Sequence, residues 1–152
     1  MADWRPLMRR RNDGFPRIMG VLNITPDSFY ANSRLSNIEK TLDLASMMIQ
    51  NGADWLDIGG ESTRPGAKPV NSKEEMKRIL PIIRALREKY PEIGISVDTR
   101  RADVAEAALD EGADMINDVS ALSDPRMVEV IKSRNCPICI MHMKGLPENM
   151  QN

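Results

Sequence analysis

Five short apolar runs alternate with four amphipathic stretches along the chain, and this alternation restricts the fold more than any other feature of the sequence. The runs are rich in Ile and Val, which is typical of buried strands. They are IMGVLNI (18–24), DWLDIGG (54–60), IGISVDT (93–99), DMINDVS (114–120) and PICIMHM (137–143). Since the connections are long enough for right-handed crossovers, we predict an α/β fold with a parallel sheet.

The stretches between the runs carry helix start and stop signals. Two Ser-x-x-Glu capping boxes, Ser36 with Glu39 and Ser72 with Glu75, predict where the first two helices begin. The first helix should bury one face, which consists of Ile38, Leu42, Ala45 and Ile49, and the third, over about 101–111, should bury Val104, Ala105, Ala108 and Leu109. The fourth is predicted to begin at Ser123-Asp124-Pro125, a cap followed by proline.

Composition limits the classes of partner. The 152 residues are 41% apolar and 28% charged with a net charge of -1, which is typical of an ordinary globular protein and does not favour a nucleic-acid binder. The basic cluster RPLMRRR lies in a predicted solvated arm, residues 1–17, and residues 18–152 form the predicted domain. Because no apolar run is long enough to span a bilayer and no signal peptide is recognisable, we expect no membrane association and a cytoplasmic location.

Two cysteines, Cys136 and Cys139, form a CPIC string that invites a redox or metal interpretation. With a single histidine in the sequence, one cysteine pair cannot complete a four-ligand zinc site. Side chains three apart on a strand point to opposite faces, which disfavours joint ligation. We therefore predict that both cysteines lie in the core.

An internal repeat supports a modular fold. The segments NGADWLDIGG (51–60) and EGADMINDVS (111–120) share a Gly-Ala-Asp entry into a strand with an acidic residue near its end. The repeated unit is predicted to be a βα module.

Every predicted strand turns polar near its carboxyl end. The polar residues are Asn23, Thr25 and Asp27; Asp57; Asp98, Thr99 and Arg100; Asn117 and Asp118; and His142. In parallel α/β folds ligands bind at this edge. Taken singly, Thr99 and Asp118 are as well explained as caps of the following helix. Buried carboxylates such as Asp57 and Asp98 need polar partners, so together the five ends predict a polar ligand site.

Several strings, taken in order, resemble the dihydropteroate synthase family. They are MGVLNITPDSF, DIGGESTRPGA, ISVDT, INDVSAL and CIMHMKG with a trailing ENMQ, and the resemblance extends from about Ile18 onward. It implies a (β/α)8 barrel of which this chain holds about the first five βα units. It also implies condensation of 6-hydroxymethyl-7,8-dihydropterin pyrophosphate with p-aminobenzoate to dihydropteroate and pyrophosphate, with Mg²⁺ as cofactor and sulfonamides as inhibitors.

The resemblance also implies roles for individual residues. Asn23 matches a position at the Mg²⁺ and pyrophosphate, an oxygen ligand of the kind that this ion prefers. Asp98 and Asn117 match contacts of the pterin ring, and Asp57 supports that pocket. The remaining matches are Thr63 and Arg64 at the pyrophosphate side, Phe29 and Pro65 around the aminobenzoate, and Met141 near the pterin. The implied mechanism is dissociative: pyrophosphate leaves the pterin methylene and the aniline nitrogen attacks the resulting cation.

Two departures from the family pattern affect these expectations. The first loop reads DSFYANSRL where many members have DSFSDGG, so its contribution to the aminobenzoate site is an open question. The family's DPGFGF-like and SRK-like segments and a late arginine and histidine are not in this sequence, and a full barrel has roughly 250 residues. We therefore expect the isolated chain to be a poor catalyst or none, with open sheet edges that also allow a homodimer.

Two other interpretations remain at this point. One is a pterin-binding domain of a methyltransferase that uses methyltetrahydrofolate, although the ESTRPGA and NITPDSF strings favour the synthase. The other is a non-catalytic module that binds a partner, or a second copy of itself, through its open edges.

Overall fold

The computed structural model describes residues 5–24, 34–61 and 70–142, with the side chains of residues 5 and 34–36 omitted. Five parallel strands and four helices alternate along the chain. The elements are β1 (Met19–Asn23), α1 (Arg34–Gln50), β2 (Trp55–Gly59), α2 (Ser72–Lys89), β3 (Gly94–Asp98), α3 (Ala102–Asp110), β4 (Met115–Asp118), α4 (Arg126–Arg134) and β5 (Ile138–Ile140). Each predicted strand is present and slightly shorter than its apolar run.

The strand order is β1-β2-β3-β4-β5, with every neighbouring pair parallel. Right-handed crossovers that always step in one direction place all the helices on one face of the sheet. That face is apolar and forms the core with the helices; its strand residues include Leu22, Leu56, Ile58, Ile95, Val97 and Ile116. This is the arrangement of part of a (β/α)8 barrel, so the predicted fold class is confirmed.

The helix faces lie as the sequence predicts. Ala45 of α1 is fully buried, and Ile38, Leu42 and Ile49 pack against the core. All four apolar residues predicted to face inward from α3 are buried. None of the helices within the described ranges is both long enough and apolar enough to cross a membrane.

The two predicted capping boxes are wrong, although α2 begins at Ser72 as predicted. α1 begins at Arg34, which places Ser36 inside its first turn. In α2 the cap is Asn71, whose side-chain oxygen accepts a hydrogen bond from the Glu74 N–H at 2.9 Å. Asparagine is among the strongest N-caps, and it precedes Ser72 by one residue. Glu75 is therefore free to turn inward, where it is fully buried.

The start of α4 agrees with its prediction to within one residue. Pro125 directly precedes the helix, and Asp124 accepts a hydrogen bond from the Arg126 N–H at 3.1 Å. The second oxygen of Asp124 accepts from the Ala102 N–H at 3.1 Å, which also ties this loop to the start of α3.

The Gly-Ala-Asp repeat forms a clamp at the amino ends of the strands. Asp54, before β2, accepts a hydrogen bond from the Ile18 N–H at 2.9 Å and pairs with Arg17 at 2.6 Å. Asp114, before β4, accepts from the Ile95 N–H at 2.9 Å and pairs with Arg87 at 2.5 Å. The glycine of each repeat has a positive φ, +98° and +106°, which permits the turn that leads into the clamp.

The N-terminal arm contacts the sheet at this same end. Arg9 and Arg10 are exposed, as a solvated arm predicts. Elsewhere the arm is bound, since the Trp55 ring N–H donates to the Leu7 carbonyl at 3.2 Å and Arg17 pairs with Asp54. The domain boundary after residue 17 stays a prediction.

The prediction that both cysteines are core residues is wrong for one of them. Cys136 is buried, but Cys139 is exposed. The reason is that β5 is an edge strand in the described sheet, and no further strand or helix in the described ranges covers this part of it.

Candidate functional site

Polar side chains from four neighbouring strands form two rows on the sheet face opposite the helices, which we call the site face. Residues in register on parallel strands point to the same side of a sheet. The upper row, at the carboxyl ends, is Asn23, Gly59, Asp98, Asn117 and Cys139. The lower row, two residues earlier on each strand, is Val21, Asp57, Ser96 and Met115. The fold therefore brings together four residues predicted for the site: Asn23, Asp57, Asp98 and Asn117.

Gly59 lies between Asn23 and Asp98 in the upper row and leaves the space between their side chains open. A Cβ at Gly59 would lie 3.6 Å from Oδ1 of Asn23 and 3.7 Å from Oδ2 of Asp98. The Asn23 side chain is exposed to solvent. The two oxygens thus flank an open position in which a ligand atom has room to bind.

Asp57 and Asn117 are joined by a hydrogen bond between the two rows. The Asn117 side-chain nitrogen donates to Oδ2 of Asp57 at 3.0 Å, an assignment that fixes the amide orientation. Asp57 is only 5% exposed, and its other oxygen has no partner among the described residues. The hydrogen bond leaves the Asn117 carbonyl oxygen to accept from a ligand. Asp57 therefore holds Asn117 in place from below, and its role in supporting a pterin pocket stays a prediction.

Among the residues of the site face, Asp98 has the most strongly shifted pKa. Burial raises its pKa from 3.8 to about 7, with further contributions from the negative charges of Asp57, Glu75, Asp118 and Glu61. At neutral pH the carboxyl group exists in both protonation states. It can therefore accept a hydrogen bond from a ligand N–H, and a ligand that donates to it favours the charged form.

Two polar residues at the strand ends have structural roles, but the alternative interpretation that they cap the following helices is wrong, because the N-cap of α3 is Arg101 and that of α4 is Pro125. The Thr99 hydroxyl oxygen accepts from the Arg101 N–H at 3.2 Å, just before α3. Asp118 accepts from the Ser120 N–H and the Leu122 N–H, both at 2.8 Å. Both side chains organise turns and do not belong to the rows of the site face.

Met141 lies one residue beyond β5 and is 40% exposed. Its backbone N–H donates to the Asp118 carbonyl at 3.3 Å, which anchors this segment beside β4. His142, the last described residue, is also exposed. The predicted contact between Met141 and a pterin stays a prediction.

Several predicted site residues lie outside the described residues. They are Thr25, Asp27 and Phe29 in the first loop and Thr63, Arg64 and Pro65 in the second. Their roles stay predictions.

Ser96 is a member of the site face that sequence reasoning missed. It is fully buried, lies next to Asp57 in register, and its hydroxyl has no hydrogen-bond partner within the described part of the chain. The signal was present, because Ser96 and Asp98 are polar residues two apart on an otherwise apolar strand and must share a face.

A second group that sequence reasoning missed is an ionic cluster beside the upper row. Arg101 pairs with Glu61 at 2.9 Å and with Glu75 at 2.5 Å, and Arg100 pairs with Glu61 at 3.2 Å. Burial raises the pKa of Glu75 despite hydrogen bonds from Thr99 and Arg101. For Glu61 burial acts in the same direction, but the hydrogen bonds from the two arginines outweigh it and leave the pKa lowered.

The described residues contain no group of three or more His, Cys, Asp or Glu side chains that could bind a metal ion by itself. A metal at this edge would therefore need ligands from the substrate or from water in addition to a protein oxygen such as that of Asn23.

Residues 19–152 match the family profile described as pterin binding enzyme. The chain is 48% identical over 136 residues to dihydropteroate synthase of Synechocystis sp., and this covers 89% of the chain and 47% of that protein. The chain therefore spans about half the length of the curated relatives it matches.

Solved structures give the same result. A Clostridium difficile dihydropteroate synthase crystallised in the presence of pteroic acid superposes with a TM-score of 0.80 at 45% identity, covering 84% of this chain and 49% of that one. A Yersinia pestis dihydropteroate synthase in a sulfonamide drug complex gives 0.80 at 43% identity, covering 90% and 49%.

Proposed function

The chain belongs to the family of pterin binding enzymes, and from this premise we propose that it forms the pterin-binding part of a dihydropteroate synthase. The reaction is the condensation of 6-hydroxymethyl-7,8-dihydropterin pyrophosphate with p-aminobenzoate, which yields dihydropteroate and pyrophosphate for folate biosynthesis. One observation carries the proposal: Asp98 and Asn117 lie in register at the carboxyl edge of the sheet, with Asp57 bound to Asn117 from below.

The chemistry of this pair fits one edge of a pterin ring. A pterin presents the N–H groups of its 2-amino substituent and ring nitrogen next to acceptor atoms. The Asp98 carboxylate accepts from the N–H groups, and the Asn117 amide, oriented by Asp57, accepts a further N–H. The two side chains lie on a rigid sheet and are already in position before the ligand binds. They can therefore orient the ring without an additional entropic cost of ordering.

The other substrate contacts of the proposal come from the resemblance. Thr63 and Arg64 bind the pyrophosphate side, and Phe29, Pro65 and Met141 surround the aminobenzoate and the pterin. A relative crystallised in the presence of pteroic acid and another crystallised in a sulfonamide drug complex support this part of the proposal.

Asn23 is the residue that would hold Mg²⁺. Its side-chain oxygen lies at the open position beside Gly59, exposed to solvent and close to Asp98. One amide oxygen suits an ion that keeps several waters and takes its remaining ligands from phosphates. An ion held there by Asn23 would supply positive charge to offset that of the pyrophosphate.

Within the proposed mechanism the residues of this chain bind and orient, and none serves as a strong acid or base. Asp98 and Asn117 fix the pterin ring so that its methylene points toward the carboxyl edge. The negative charge of Asp98 also lies near the ring from which pyrophosphate departs, where it stabilises positive charge that develops on the pterin.

We expect the 152 residues alone to bind the pterin and to catalyse poorly or not at all, because the resemblance places further ligand-binding segments in sequences that this chain does not contain. A homodimer through the open sheet edges and a cytoplasmic location stay predictions.

Calorimetric titration of the 152-residue chain with the dihydropterin pyrophosphate tests the proposal. Asp98→Asn and Asn117→Ala should each weaken binding about tenfold or more, the usual effect of losing a hydrogen bond to a charged group or its support. Glu92→Gln, at an exposed carboxylate away from the site face, is the matched control.

Tighter binding of methyltetrahydrofolate than of the pterin pyrophosphate would instead favour the methyltransferase interpretation. Unchanged affinity in Asp98→Asn would contradict the site. Rapid turnover by the isolated chain with aminobenzoate and Mg²⁺ would contradict the expectation that these residues are insufficient.

A further inference from the structure

The ionic cluster beside the site joins three elements through a single side chain. Nη1 of Arg101 contacts Oε2 of Glu61 at 2.9 Å and Oε2 of Glu75 at 2.5 Å. Nη2 of Arg101 donates to the Val70 carbonyl at 2.5 Å, and the Val70 N–H donates back to Glu61 at 3.2 Å. We call these four residues the Arg101 clasp. It connects the segment after β2, the segment before α2 and the residue before α3.

The clasp depends on arginine. The Glu75 side chain is 1% exposed, and those of Glu61 and Arg101 are 16% and 19% exposed. The charges are therefore largely removed from water, and only their mutual pairing compensates the cost of desolvation. The planar guanidinium presents several N–H groups in a fixed fork and can bind two carboxylates and a carbonyl at once. A lysine ammonium keeps the charge without the fork.

The clasp borders the upper row of the site face. Glu61 follows Gly59 by two residues, and Gly59 lies between Asn23 and Asp98. Arg101 follows Asp98 by three residues, and its N–H donates to the Thr99 hydroxyl. Without a cation, Glu61 and Glu75 would place two negative charges next to the position where an anionic ligand group has to bind.

We propose that Arg101 is a positioning residue that holds Glu61 and Val70 at the rim of the site and neutralises Glu61 and Glu75, so that the diphosphate group of a pterin ligand is accepted there. The inference rests on the proposed function for the identity of the ligand. The clasp itself is independent of it, because every contact is between residues of the chain.

Four variants test the proposal: R101Q, R101K, R100Q and the double variant E75Q/R101Q. R100Q is the matched control, because Arg100 also pairs with Glu61 but its side chain is 46% exposed. The double variant is included because R101Q leaves Glu75 buried without its cation. Two quantities are measured: the hydrogen exchange rate of the Val70 amide without ligand, and the affinities for 6-hydroxymethyl-7,8-dihydropterin with and without its diphosphate.

In R101Q and in the double variant we expect Val70 exchange to be about tenfold faster, because Glu61, which accepts the Val70 N–H, and the Val70 carbonyl both lose their hydrogen bonds from the Arg101 guanidinium. In R101Q, removal of one positive charge should lower the affinity for the diphosphate ligand about tenfold. The affinity for the ligand without the diphosphate should fall by less than about threefold. R101K should recover much of the diphosphate affinity while Val70 exchange stays fast. R100Q should change both quantities by less than about twofold.

If folded R101Q loses affinity for both ligands by the same factor, the proposal is overturned. It is also overturned if the Val70 amide exchanges in R101Q at the same rate as in R100Q. If R101Q does not fold, the double variant decides by Val70 exchange, which should still be about tenfold faster, while its preference for the diphosphate ligand should stay near that of the wild type because it loses one positive and one negative charge together. A wild-type chain that binds neither ligand contradicts the proposed function, and Val70 exchange then decides alone whether Arg101 forms the clasp.

Discussion

Replacing Asp98 by asparagine should stabilise the folded chain at neutral and alkaline pH while it weakens ligand binding. Asp98 lies in the upper row of the site face, and burial, followed by the charges of Asp57, Glu75, Asp118 and Glu61, raises its pKa from 3.8 to about 7. A carboxyl group whose pKa is higher in the folded state holds its proton there while the unfolded chain has already lost it. Its contribution to stability is therefore lost as the pH rises from about 4 to about 7.

The magnitude follows from the shift. A rise of about 3 pH units corresponds to roughly 4 kcal/mol at about 1.36 kcal/mol per unit. Since Asp98 is only half-buried, solvent screens part of this, and we expect about 2 kcal/mol at pH 8. Well below pH 3.8, where the carboxyl group is protonated in both states, the variant and the wild type should have equal stability, and at pH 4 they should differ by less than about 1 kcal/mol.

Urea unfolding of Asp98→Asn and of the wild-type chain at pH 4, 6 and 8, chosen to bracket the shift, measures the difference directly. Titrating groups distant from Asp98 affect both proteins alike and cancel in the comparison, so the measured difference belongs to Asp98 and the carboxylates coupled to it. Glu92→Gln, at an exposed carboxylate away from the site face, is the control substitution. A variant that is less stable than the wild type at pH 8, or a difference that does not change with pH, would refute the reasoning.

Three further outcomes can be measured in the same chain. Gly94→Ala should cost about 2 kcal/mol or more in urea unfolding, because the new Cβ would overlap the indole ring of Trp55. Gly59→Ala, whose new Cβ would have its nearest neighbour at 3.6 Å, should cost less than about 0.5 kcal/mol, and equal losses would contradict the packing. Asp114→Asn should lower the free energy of unfolding by about 2 kcal/mol, since the carboxylate binds an arginine at 2.5 Å and a backbone N–H at 2.9 Å; an unchanged midpoint would show that the clamp does not contribute. A thiol reagent should label exposed Cys139 in the folded chain and Cys136 only after unfolding, because burial raises the pKa of the Cys136 thiol to about 11; labelling of both at equal rates would contradict the fold of β5.

The sequence predicted the elements and their order well because both depend on local pattern. The apolar runs predicted all five strands, and the inward faces of α1 and α3 followed from helical periodicity. The ends of the helices were less certain, because Asn71 and Ser72 are both good caps and only the path of the chain selects between them.

The candidate site was predicted as a set of residues but not as an arrangement. Asp57, Asp98 and Asn117 were recognised because polar residues at the ends of apolar strands need partners. That Asn117 binds Asp57, and that Gly59 opens the space between Asn23 and Asp98, depends on the register of strands that are far apart in sequence. Periodicity along one strand carries no information about that register.

The sequence by itself determined the alternation of strands and helices, the parallel sheet and the polar carboxyl edge, since these follow from hydrophobic period and turn chemistry within short windows. Only the tertiary structure decided which distant groups meet. It turned Glu75 from a predicted capping residue into the buried partner of Arg101, and it left Cys139 exposed on an edge strand. Burial and ion pairing are properties of contacts between elements, and therefore they become fixed only when the sheet and its helices assemble.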